Sequence, residues 1–197
     1  MSSTRKSSGK IRAILAGGLV LGVGAAITLA AWNDSEFATG EFTAGEFNLQ
    51  GSTNGTDFTE HSSAGDAATL PFSVDTANLT PGDVVTSPFA VRLDNTTDYD
   101  ANVAVSTATT TGSVAGLTYR LVQTSEFGCA NLDAGTVIVP AGTPLGTTPA
   151  SASFALAQSA DGSSPGAPAN LCFEVTAGDI SQGQSGTATW EFAAESN

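Results

Sequence analysis

The chain has 197 residues, one domain's worth, with 41% apolar and 13% charged residues, 22 glycines, two cysteines and a formal net charge of −13. Charged residues are about half their usual share, and Ser, Thr, Ala and Gly crowd the sequence, which points to a β-rich exported protein rather than a helical enzyme. Four of the six basic residues (Arg5, Lys6, Lys10, Arg12) precede residue 13, so the rest sets Arg92 and Arg120 against nineteen acids, net −17, a surface that repels nucleic acid and anionic lipid alike.

Residues 1–31 read as a secretory signal peptide: a basic, Ser-rich start, an apolar helix-forming run from Ala13 to Ala31 interrupted only by Thr28, and small residues before Trp32. Leu29, Ala30, Ala31 and Trp32 bound the expected cleavage region. A retained anchor is the alternative, because nineteen helical residues at about 1.5 Å each nearly cross a ~30 Å hydrocarbon core. Either way the cations hold the start inside and the acidic remainder is exported, which predicts an extracellular or cell-surface location. Membrane contact is expected only through an uncleaved leader.

Residues 32–50 carry a short repeat. Glu36-Phe37, Glu41-Phe42 and Glu46-Phe47 recur at a period of five, which in an extended chain alternates the rings between faces, roughly 16 Å apart. From residue 51 onward short period-2 segments alternate with Gly, Pro, Asn and Asp, without sustained helical periodicity. Phe89, Val91 and Leu93, then Val103 and Val105, then Leu117, Tyr119 and Leu121 each predict one apolar sheet face. Further strands are expected at Thr136 to Val139, Ser153 to Ala157, Leu171 to Val175 and Thr187 to Ala193, with Leu171, Phe173, Val175, Ala188, Trp190 and Phe192 facing inward. Turns are signalled at Thr80-Pro81-Gly82-Asp83, at Asp94 to Asp98 and from Ser159 to Asn170. Nine or ten strands in this length predict an all-β, antiparallel two-sheet sandwich, jelly-roll-like, over residues 51–197.

Cys129 and Cys172 form the only pair, and in an exported chain such a pair reads as a disulfide, with two free buried thiols as the alternative. Cys172 alternates with the inward residues of its strand. Its disulfide is therefore expected to pin a loop or neighbouring segment across the outer sheet surface.

Trp32-Asn33-Asp34-Ser35-Glu36 after Leu29-Ala30-Ala31, and then Phe42 to Leu49, resemble the start of the camelysin/TasA family of exported biofilm-matrix proteins. Ala77-Asn78-Leu79-Thr80-Pro81-Gly82-Asp83 is similar to that family's turn, and Gly183 to Phe192 to its last strand. The resemblance covers about a third of the chain. It implies a jelly-roll subunit, a leader processed by a dedicated SipW-type signal peptidase, and fibres in which the segment after cleavage is donated as a strand to the next copy. Phe37, Phe42, Phe47 and Leu49 are the candidate donor-strand residues. The mature edges lack lysine, the common guard against such pairing.

Camelysin-type proteins carry a metalloprotease label, but a His-Glu-x-x-His helix needs two imidazoles, and His61 is the sole histidine. Nor does His61 sit near a nucleophile elbow. Asp75-Thr76-Ala77 lacks the second copy that a carboxylate dyad requires. Asp94, Asp98 and Asp100 offer oxygens of the kind calcium takes, without the glycine or distal Glu of a calcium loop. The sequence thus predicts no enzyme, no cofactor and no catalytic residue. The leading expectation is a structural subunit whose partners are copies of itself and the export peptidase. A monomeric or anchored surface adhesin or binding module is the alternative.

Overall fold

The computed structural model describes residues 35–197 apart from 43, 74 and 75. The leader, with Leu29, Ala30, Ala31 and Trp32, and also Asp75, lies outside the described residues. The chain divides into two compact units, Met1–Thr43 and Ala44–Asn197. The second holds all the strands found among the described residues: β1 Leu49–Ser52, β2 Val84–Leu93, β3 Ala101–Gly112, β4 Leu117–Thr124, β5 Thr136–Pro144, β6 Ser153–Leu156, β7 Ala169–Ala177 and β8 Gly186–Ser196.

Eight strands are therefore described where nine or ten were expected. The shortfall lies between β1 and β2, where the described residues of 53–83 hold two short 3-10 turns and no strand. That stretch is rich in Gly, Ser, Thr and Asp, which favour local turns over a ladder.

The strands make two antiparallel sheets in a β-sandwich-like arrangement, one in the order β1-β2-β7-β4-β5 and one in the order β6-β3-β8. The alternation read from the sequence fixes the faces. Val85, Phe89, Val91 and Leu93 of β2, Tyr119 and Leu121 of β4, and Leu171, Phe173 and Val175 of β7 share one core with Val103 and Val105 of β3 and Phe154 and Leu156 of β6. Trp190 and Phe192 of β8 close it. Trp190 lies 4.5 Å from Phe173 and 5.5 Å from Tyr119, ring centre to ring centre, and Phe192 lies 5.4 Å from Phe89. Because these rings belong to opposite sheets, each pair adds roughly 0.5–1.5 kcal/mol to the cohesion of the two layers beyond area burial.

The turn at residues 80–83 has the geometry its residues predict. Pro81 precedes Gly82 at φ +97°, and the Asp83 amide donates to the Thr80 carbonyl at 3.0 Å, as a type II turn requires. Pro88 is tolerated inside β2 because β1 flanks only Ala90–Leu93, leaving the proline in a stretch with β7 on one side.

On the outer face of the five-stranded sheet, Val122 and Cys172 lie in register across β4 and β7 and pack with Leu132 and Cys129. Cys129 and Cys172 are joined in a disulfide. The bond ties the loop after β4 onto the sheet, as the outward direction of Cys172 implied. Arg120 stands beside it, paired to Glu174 at 2.8 Å and to the loop's Asp133 at 3.2 Å.

Candidate functional site

Residues 35–42 run without regular secondary structure, and their aromatic rings are bare: Phe37 is 91% and Phe42 95% exposed. Phe47 is 38% exposed, and Leu49 packs against the core. The four candidate donor residues are thus treated differently. Leu49 belongs to the chain's own sheet, opposite Leu93 of β2.

Residues 45–52 form a clasp onto the turn after β2. Gly45 starts it: a Cβ there would meet Asp98 Oδ2 at 2.7 Å and the Tyr99 ring at 2.8 Å, so a larger residue would have to push these two exposed side chains aside. The Glu46 amide donates to Asp98 Oδ2 (3.0 Å), the Asp98 amide to the Glu46 carbonyl (3.1 Å), and the Asn48 amide to Thr97 Oγ1 (2.9 Å). Asn48 spends both side-chain hydrogens on carboxylates, Asp94 Oδ2 at 2.7 Å and Glu60 Oε1 at 2.6 Å. Burial pushes the Asp94 carboxyl up, but hydrogen bonds from Thr96, Asn48 and Thr97 outweigh it and hold the group below the ordinary aspartate range. The exposed segment is therefore bounded at its C-terminal side by a built attachment.

The acids considered as calcium ligands already have protein donors. Asp94 Oδ1 takes Thr96 and Thr97, Asp98 takes the Glu46 amide, and Asp100 Oδ1 takes the Gln158 amide. Among the described residues no three His, Cys, Asp or Glu side chains come together in a metal-holding cluster. His61 Nε2 lies 3.4 Å from Thr59 Oγ1.

The four strands at the sheet edges are unequal. β1 and β6 have four residues each, while β5 has nine and β8 eleven. Beside β8 runs a groove of about 1020 Å³, bounded by Leu70, Phe72, Phe89, Phe173, Trp190 and Phe192. Its far wall is a strap, residues 60–73, whose Ala68, Leu70 and Phe72 pack half-buried against the core. The strap is fastened at its ends, by Glu60 to Asn48 and by Ser73, whose amide donates to the Thr86 carbonyl at 2.8 Å.

Sequence reasoning missed the strap and the groove. Apolar residues at 68, 70 and 72 carried a period-2 signal, but it was too short and too broken by Pro71 and Gly65 to read as an element. No protein-family model matches this chain, and no curated protein matches it either. Among the described residues no helix is long and apolar enough to cross a membrane.

Proposed function

We propose that this chain is an exported structural subunit of extracellular fibres or biofilm matrix, a jelly-roll-like sandwich that assembles when its N-terminal segment is donated as a strand to another copy. The observation that carries this reading is the bareness of Phe37 and Phe42 on a segment without regular secondary structure, neither ring being among the core residues. Two exposed phenylalanines within six residues cost solubility, and an exported chain that keeps them has a use for them. Successive strands β2, β3 and β4, and again β5, β6, β7 and β8, cross between the sheets except at the β4–β5 hairpin, which supports the jelly-roll-like description. The leader, the SipW-type peptidase and the camelysin/TasA relationship are part of the same proposal, on the residues quoted above.

The donating stretch is narrower than 32–50. Deleting through Leu49 would cut into β1 and remove most of the clasp, so the test compares residues 35–197 with residues 44–197, each oxidised, by negative-stain electron microscopy. Filaments from the longer chain alone are the expected result. Filaments from both, or single particles from both, would count against strand donation. The groove of about 1020 Å³ favours one second reading, a monomeric or anchored surface module that binds a ligand there. Single particles from both chains would move the assignment to it.

A further inference from the structure

We propose that the free edge of β8, with the groove beside it, is the acceptor for residues 35–42 of a second copy, and that the strap at residues 60–73 yields to admit them. This rests on the strand-donation reading and adds where the strand goes.

Edge quality selects β8. Its eleven residues pair with β3 on one side only, and no backbone hydrogen bond leaves its other side among the described residues. β1 and β6 are too short to template a strand of eight. β5 contains Pro140 and Pro144, which lack an N–H, and its ladder with β4 is broken by two register shifts. β8 has no proline and no lysine, and its inward residues Ala188, Trp190, Phe192 and Ala194 carry no charge. It is the edge with the fewest of the features that block β-pairing.

The groove adds an unmet bond. Trp190 lines it, and the buried indole Nε1 of Trp190 has no acceptor among the described residues. A buried N–H of this kind costs about 1–3 kcal/mol, and an incoming backbone brings carbonyl oxygens.

The strap is built to move. Between its fastened ends, hydrogen bonds run within the strap, from Asp66 to Ser63 and from Phe72 to Leu70, or to the adjacent Thr59. Half-buried Ala68, Leu70 and Phe72 hold the rest, and a segment with few ladder bonds and partial burial opens at low cost.

The donor fits in length and face. Eight extended residues span about 26 Å, within the length of an eleven-residue strand. One face presents Glu36, Ala38, Gly40 and Phe42, and the other Ser35, Phe37, Thr39 and Glu41. Each face carries one phenylalanine and one glutamate; the first goes inward because its middle residues, Ala38 and Gly40, are small and apolar, whereas the second would bury the Thr39 hydroxyl. Phe42 is then the ring that enters the groove.

Residues 35–197 keep one tryptophan, Trp190, so its fluorescence reports directly on the groove. With benzoylphenylalanine in place of Phe42, illuminated filaments are expected to carry cross-links to residues 186–196 or 60–73 of a second copy, with a shift in Trp190 emission on assembly. Ala193→Lys on β8 is expected to slow elongation at least tenfold. Ala155→Lys, an equal charge change on the exposed face of β6, is expected to stay within twofold of the parent. Cross-links to β5 or β6, or equal effects of the two lysines, would overturn the acceptor assignment while leaving strand donation standing. Absence of filaments from the parent chain would remove the strand-donation reading itself, and the acceptor with it.

Discussion

Two buried polar groups set the clearest expectations for single side chains. Ser87 sits on the core face of β2 between Val85 and Phe89, fully buried, and its Oγ has no hydrogen-bond partner among the described residues. Removing an unsatisfied hydroxyl recovers its desolvation cost, so Ser87→Ala is expected to raise stability by about 1 kcal/mol in a urea titration. Asp94 behaves in the opposite sense, because its oxygens are satisfied as the carboxylate and its pKa is depressed in the fold. A depressed carboxyl stabilises fully above its unfolded value, near pH 4, and the contribution is lost as pH falls through the lowered folded value. Thermal midpoints of the parent and of Asp94→Asn are therefore expected to differ at pH 6 and to converge under strong acid. A difference that persists unchanged at low pH would show that the Asp94 hydrogen bonds are not the source.

Among the elements, the loop after β4 depends most on one bond. The disulfide closes a separation of 43 residues, for which loop entropy gives about 4 kcal/mol. The Cys129→Ala, Cys172→Ala double variant is expected to lose stability of that order, and hydrogen exchange should show the loop at 125–135 loosening before β7 does. Arg120 gives the loop a second hold through Asp133, but that partner is largely exposed and adds little. The strap is an element of the opposite kind, pinned at Glu60 and Ser73 and loose between. Phe72→Ala is expected to accelerate filament elongation while lowering subunit stability by about 1–2 kcal/mol, since the ring is half-buried. Slower elongation would show the strap to be a support of the acceptor rather than an obstacle to it.

At the scale of the whole molecule, charge opposes assembly. Arg120 is already paired to Glu174 and Asp133, and Arg92 lies 4.0 Å over the Phe58 ring, so neither is placed to neutralise a neighbour. A donated segment would bring Glu36 and Glu41 toward Glu191 and Glu195 of β8. Raising ionic strength from about 0.01 M to about 0.15 M shortens the screening length from ~30 Å to ~8 Å, and filament yield is expected to rise with it. Lowering the net negative charge of the whole chain by acidification should act in the same direction. Yield that ignores both, measured by sedimentation, would mean that these carboxylates do not meet.

Local alternation settled what is local. Phe89, Val91 and Leu93 read as one face because side-chain direction in a strand has a period of two, and the same rule sent Cys172 outward to its partner. The turn at Thr80–Asp83 followed from what proline and glycine allow. Neighbourhood was decided elsewhere. β2 and β7 pair across nearly eighty residues of chain because both sheets must bury their apolar faces against one another. Leu49 stands in the same candidate donor stretch as Phe37 and Phe42, yet the clasp to Asp94, Thr97 and Asp98 draws it into the chain's own sheet and leaves them bare. β4 and β8 alternate alike in sequence, but one lies between two strands and the other at an edge. Being an edge belongs to the assembled sheet, not to the strand, and so only the tertiary structure shows where another chain can bind.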